Sequence, residues 1–268
     1  MLKAAIMYDF DLTLSTKNMQ EYSLLPALNV DADQFWGDVT EFSKKNNMDS
    51  VLAYMYKLIE YGKKNNVKLT RDFFHQFGKD IQFYPGVEEY FSRINKYAAS
   101  KGILLQHYII SSGTMEIIEA TSIYPYFTKV FACQYHYDEN GEAIWPNLAI
   151  NYTGKTQFLF RINKNSLDIC DNSKINAKNV ARDIPFNHMI YIADGMTDVP
   201  CMVLVKNNGG YSIAVHDQNK NTHRQLLKDG RVNYVALADY RQGSELSNII
   251  ESIIDKIAIE EKLNQYSQ

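Results

Sequence analysis

The stretch that most restricts how this chain can fold is Ala4-Ala5-Ile6-Met7-Tyr8-Asp9-Phe10-Asp11-Leu12-Thr13-Leu14, an apolar run that stops on two carboxylates one residue apart. A run of this length reads as a buried strand. At a side-chain period of two, Asp9 and Asp11 leave it on one face while Phe10 turns to the other, toward the core. Both carboxylates then converge at the carboxyl end of a strand, where open α/β sheets bind their ligands. An acidic turn or a DxD metal clamp is the plainer alternative on these residues alone.

With 268 residues, the chain is long enough for one large α/β domain, or for a core domain with a smaller companion. A net charge of -3 with 22% charged residues gives no clustered basic footprint, which argues against nucleic acid as a partner. Cys133, Cys170 and Cys201 are widely spaced, odd in number and set among apolar residues, so buried reduced thiols are expected rather than disulfides or a zinc site. The opening residues lack the long apolar run of a signal peptide, and no stretch of 18 apolar residues suggests a membrane span. A cytoplasmic protein with no membrane partner is the expectation.

After Thr13 the pattern turns helical, over roughly 17–28, 31–46, 49–65 and 70–79, with Asp31 and Ser50 as N-caps. Val51, Leu52, Tyr54, Met55, Leu58, Ile59 and Tyr61 recur at helical spacing and need a partner surface, which points to a helical insert after the first strand, built like a lid. Helices that merely cover the sheet are the alternative. Pro85-Gly86 opens a helix with Pro85 in its first turn, ending near Gly102. Residues 103–110 read as a second strand, followed by a Ser111-Ser112-Gly113-Thr114 turn and a helix from Met115. Residues 129–137 and 143–151 flank Asp138-Glu139-Asn140-Gly141 as a hairpin. Helices near 154–163 and 173–181, a strand at 189–193, a helix opened by Pro200, strands near 211–215 and 232–237 and helices near 218–228 and 244–263 complete the chain. The fold class expected is α/β, a doubly wound Rossmann-like parallel sheet with an inserted helical cap. The core spans 1–14 and 83–268, and the cap 15–82.

Four weak signals follow in order: Asp9/Asp11/Thr13 after the first strand, Ser111 after the second, Lys155 opening a helix, and Asp194-Gly195-Met196-Thr197-Asp198 after a later strand. Gly154-Lys155-Thr156 is not a nucleotide-binding P-loop, because the first glycine of that motif would fall on Ala149. A lysine at a helix start opposes the helix dipole, and neutralising nearby anions supplies a reason for it. His136 and His216 belong to no cluster with metal spacing and read as surface or satisfied histidines.

Taken together, these motifs resemble the haloacid dehalogenase superfamily, and its phosphoserine-phosphatase-like members in particular. Those members share the aromatic-Pro-Gly turn, here Phe83-Tyr84-Pro85-Gly86, and the Ile-Ser-x-Gly turn, here Ile110-Ser111-Ser112-Gly113. The resemblance implies a Mg²⁺-dependent hydrolase of small phosphate monoesters. Such esters are inert enough that enzymes accelerate their hydrolysis by up to ~10²¹-fold. Asp9 would be the nucleophile and Asp11 the acid that protonates the leaving alkoxide and then the base that activates water. Lys155 would neutralise Asp9 and the phosphoryl group, while Ser111 and the next backbone amides, at Ser112 and Gly113, would hold a phosphoryl oxygen. Asp9, Asp194 and the backbone carbonyl of Asp11 would hold Mg²⁺, with Asp198 orienting the site.

Dehalogenases and phosphonatases of the superfamily lack an aspartate two residues beyond the nucleophile, so Asp11 argues for phosphoryl chemistry. A phosphotransferase or phosphomutase would use the same residues, and a noncatalytic binding protein would lack one of them. Phosphoserine phosphatases carry a substrate-binding glutamate nine residues after the nucleophile, where this chain has Asn18. Gln20 and Glu21 are the neighbouring candidates for substrate contact, and the expected partner is a small phosphorylated metabolite.

Overall fold

A seven-stranded sheet with the order β4-β3-β2-β1-β5-β6-β7 forms the centre of the molecule, as seen in a computed structural model that describes residues 2–178, 182–217 and 221–266. The strands are β1 (Leu2–Tyr8), β2 (Ile103–Thr114), β3 (Phe127–Tyr137), β4 (Ala143–Leu148), β5 (Met189–Ala193), β6 (Tyr211–His216) and β7 (Tyr234–Leu237). All neighbours run parallel except the β3–β4 hairpin. Every residue of β5 and β6 is buried, as strands covered on both faces require. β1 lies between β2 and β5, and the chain winds outward from it in both directions. This makes a doubly wound α/β sheet whose switch point is the carboxyl end of β1.

Between β1 and β2 come α1 (Leu24–Ala27), α2 (Ala32–Asn46), α3 (Ser50–Lys64), α4 (Arg71–His75) and α5 (Val87–Ser100). The later helices are α6 (Met115–Glu119), α7 (Thr156–Asn163), α8 (Asn172–Asn176), α9 (Val199–Asn207), α10 (Asn221–Lys228) and α11 (Glu245–Gln265). Arg93 of α5 ties that helix to α11 through Ser247 and Glu251. The chain leaves the sheet and returns to it side by side. Ser15 pairs with Phe83, the Thr16 N–H donates to the Gln82 carbonyl, and the Tyr84 N–H donates to that of Leu14. No described helix is long and apolar enough to cross a membrane.

Several local expectations need correction. α3 is capped by Asp49, whose carboxylate accepts from the Val51 and Leu52 amides, rather than by Ser50. A charged acceptor one residue earlier satisfies two orphan donors and meets the positive helix end. Asp31 caps α2 as expected. Pro85 precedes α5, which starts at Val87 because Gly86, with φ 80°, makes a left-handed turn against the Arg241 backbone. The Ser111–Thr114 turn is an irregular continuation of β2, shifted in register before Thr114 pairs with Cys133. Cys133 and Cys201 are buried, whereas Cys170 is exposed in the turn before α8. Of the helices expected near 173–181 and 218–228, residues 179–181 and 218–220 lie outside the described residues.

Candidate active site

β1 ends at Tyr8, so Asp9 and Asp11 sit in the loop beyond it rather than on the strand face the alternation suggested. The loop curls tightly, with the Phe10 carbonyl accepting from the Thr13, Leu14 and Ser15 amides and Leu12 in the left-handed region at φ 57°. Thr13 is fully buried, and its carbonyl accepts from the Tyr240 hydroxyl. This curl brings both carboxylates to the wall of a cleft of about 420 Å³ at the carboxyl end of the sheet.

Asp9, Asp194 and Asp198 each offer a carboxylate oxygen within 4.8 Å of the others. Lys155, buried at the start of α7, lies 3.2 Å from Asp9 Oδ1 and 2.8 Å from Asp198 Oδ1. Burial alone would lower the Lys155 pKa, but Asp198 and Asp9 outweigh it and raise it, so the ammonium stays charged. Asp9 is pushed up by burial and then by Asp198, with Lys155 opposing. Burial, followed by the Asp198 charge, raises Asp194 to about 7. Burial also raises Asp11 to about 7, against the Met19 N–H that its Oδ1 accepts at 2.8 Å and with the Asp194 charge adding to the rise.

Three clustered carboxylates share one ammonium, and all the donors are hard oxygens. That set fits a divalent cation such as Mg²⁺, whose charge would hold these acids ionised. Asp198 is already engaged: Oδ1 accepts from Lys155 and from the Tyr191 hydroxyl at 2.5 Å, and Oδ2 from Thr197. It therefore lies behind the cleft, facing Asp9 through Lys155.

Ser111 and Ser112 both line the cleft. The Ser112 hydroxyl is spent on the Ile150 carbonyl, whereas the buried Ser111 Oγ accepts from the Gly113 N–H. Gly113 does not line the cleft. A Cβ there would lie 2.1 Å from Met19 Cε, so its bareness lets the insert approach the sheet. From the insert, Asn18 and Gln20 reach the cleft and Glu21 does not. The Glu21 Oε1 accepts instead from Asn18 Nδ2 at 2.5 Å and Trp36 Nε1 at 2.8 Å.

Tyr191, Trp36, Thr40 and Asn151 escaped the sequence reading. Tyr191 carried a usable signal, because a tyrosine in a wholly buried parallel strand needs a partner for its hydroxyl. The other three are ordinary polar or aromatic residues with no spacing to mark them.

No protein-family model matches the chain. An uncharacterized protein of Borreliella burgdorferi is 30% identical over 279 residues, covering 93% of this chain and 96% of that protein. Among solved structures, a substrate-bound phosphoserine phosphatase superposes with a TM-score of 0.59 at 14% identity, covering 94% of this chain and 99% of the other. A haloacid dehalogenase family hydrolase of Salmonella enterica superposes with a TM-score of 0.57 at 17% identity, covering 84% of this chain and 66% of that one.

Proposed function

We propose, from the premise that this chain belongs to one family with the Borreliella burgdorferi protein and has the haloacid dehalogenase fold in its phosphoserine-phosphatase-like form, that it hydrolyses small phosphate monoesters through an aspartyl-phosphate on Asp9. The observation that carries this reading is one cluster at the switch point of the sheet. Asp9 faces Lys155 at 3.2 Å, stands with Asp194 and Asp198 within 4.8 Å, and shares the cleft with Asp11.

An Asp9 carboxylate oxygen attacks phosphorus and the bond to the leaving oxygen breaks. Asp11, whose carboxyl is held by burial above the usual carboxylate range, delivers its proton to the departing alkoxide. The resulting Asp11 carboxylate then takes a proton from water, which attacks the phosphorus and frees both phosphate and Asp9. Lys155 stays positive throughout and offsets charge on Asp9 and the phosphoryl oxygens. The Ser111 hydroxyl, whose oxygen accepts from the Gly113 N–H, donates to a phosphoryl oxygen. Mg²⁺ would be held by Asp9, Asp194 and the Asp11 backbone carbonyl, with Asp198 orienting them, and when bound it supplies neutralising charge and polarises the phosphoryl group.

In this reading residues 1–14 and 83–268 form the catalytic core, and 15–82 form a cap that recognises a small phosphorylated metabolite. A cleft of about 420 Å³ suits such a ligand. The test is to incubate the protein with Mg²⁺ and p-nitrophenyl phosphate, quench in acid and map the phosphorylated peptide by mass spectrometry. Phosphate on the peptide containing Asp9, absent from Asp9→Asn, is expected. Turnover with the label on another residue, or no turnover and no label, would reject the mechanism.

A further inference from the structure

The insert side of the cleft holds a polar group that the fold leaves unused. Gln20 is only 2% exposed and lines the cleft, yet its carboxamide makes no hydrogen bond with any described residue. The Gln20 amide atoms are not sealed from solvent, so they face the open cleft, where water meets them until a ligand group takes its place. Its neighbours on this wall share one chemistry. Asn18, Thr40 and Ser50 of the insert, with Asn151 from the loop after β4, are neutral hydrogen-bonding groups whose oxygens can still accept although Asn18, Thr40 and Asn151 each donate within the protein, and Trp36 with Val51 supplies an apolar face.

Among the described residues lining the cleft, the charged side chains are Asp9, Asp11, Asp194 and Lys155, all at the phosphoryl end. The acids behind this wall are already engaged: Glu21 accepts from Asn18 and Trp36, and Asp49 from Asn151 and the first amides of α3. A leaving group with an ammonium or carboxylate would be stripped of water there without a counter-charge. One bearing several hydroxyls would pair with Gln20 and its neutral neighbours, and its C–H face would rest on the Trp36 ring.

Building on the phosphatase reading, we propose that the substrate class is the phosphate monoester of an uncharged polyhydroxy alcohol, a sugar or polyol phosphate, with Gln20 reading a leaving-group hydroxyl. The test compares glucose 6-phosphate, glycerol 1-phosphate, O-phosphoserine and p-nitrophenyl phosphate as substrates of the Mg²⁺-loaded protein and of Gln20→Met, which keeps the side-chain length but removes the donor and acceptor. At least one polyol ester should exceed O-phosphoserine in kcat/KM by about tenfold or more, and Gln20→Met should lower kcat/KM on that ester about tenfold more than on p-nitrophenyl phosphate, the effect of losing one or two hydrogen bonds.

Preference for O-phosphoserine, or equal losses on both esters in Gln20→Met, would overturn the proposal. If no ester turns over, the phosphatase reading fails by itself. Calorimetric binding of the same esters to Asp9→Asn protein then decides the substrate class: tighter binding of a polyol ester that weakens in the Asp9→Asn, Gln20→Met double variant upholds it, and tighter binding of O-phosphoserine rejects it.

Discussion

The two walls of the cleft are built on opposite principles. The sheet wall concentrates charge: four acids and one lysine, with Asp198 and Lys155 buried outright and all five set in the loops after β1 and β5 or at a helix start. The insert wall carries neutral side chains on helices, and it is anchored unevenly. Its α3–α4 half is joined to the β3–β4 hairpin and to β2. The Tyr54 hydroxyl donates to the Ser112 carbonyl at 2.6 Å and that of Tyr135 to the Met55 carbonyl at 3.0 Å, Phe74 stacks on Tyr135 at 5.3 Å, and the Ala143 N–H donates to the Leu69 carbonyl. α2 rests mainly on α3, through pairs such as Phe35 with Tyr61 and Trp36 with Tyr54. The comparison teaches that the charged and the neutral groups of one cleft are held by separate means. The charged wall draws its geometry from the sheet, while the neutral wall is a fixed face of α3 with α2 laid upon it.

Changes on the charged wall should be the most severe. Asp9→Asn, nearly isosteric, should cut turnover on the order of 10⁴-fold or more while leaving the melting temperature close to native. Near-native turnover by the folded variant would remove the nucleophile. Lys155→Met should lower kcat roughly 10²–10³-fold, as loss of a transition-state donor does. A change of less than about fivefold would mean that this buried ammonium serves the fold and not the reaction.

In the helices that support the neutral wall the expected losses are of stability. Phe74→Ala should cost roughly 3–5 kcal/mol by emptying a fully buried site, with the insert and the core still melting in one transition. Two separate transitions, followed by near-ultraviolet dichroism and calorimetry, would show that the halves are independent and break the comparison.

The smallest effect expected is on pH. Without metal, Asp11 and Asp194 are held up to about 7 against an ordinary value of 3.8, so the folded state binds their protons more tightly than the unfolded state. Such groups favour the fold fully below about 3.8, and that contribution is lost as pH rises through about 7. In chelator the melting temperature of Asp11→Asn should therefore fall less than that of the native protein between about pH 5 and about pH 7. Mg²⁺ should narrow the gap by keeping the acids paired when ionised. Identical slopes in chelator would refute this view of Asp11.

These differences also explain what the sequence made legible. The strand-ending acids, Ser111 and Lys155 were visible because each chemical group follows a structural signal: an apolar run, a turn or a helix start. Asp49 in place of Ser50 as the cap of α3, and Gly86 in place of Pro85 at the opening of α5, were one- or two-residue choices settled by local geometry. The neutral wall was harder to read. Asn18 and Gln20 stood near the first motif and could be named from it, but Trp36, Thr40 and Asn151 reach the cleft only through the packing of α2 and the loop after β4. Long-range packing leaves no periodicity in the sequence. Glu21 shows the same limit from the other side, because its capture by Trp36 depends on a helix that follows it.

The anchoring of the insert has a consequence for how the chain acquires its structure. α3 and α4 leave the ribosome well before β3 and β4, yet the partners that cover Phe74, Leu69 and Met55 lie in that later hairpin. The helices made first must wait with part of their apolar surface uncovered until Tyr135 and Ala143 arrive, which gives the insert non-local contacts and slows its completion. In native-state hydrogen exchange the amides of α3 and β4 should accordingly open together as one cooperative unit, although they are far apart along the chain.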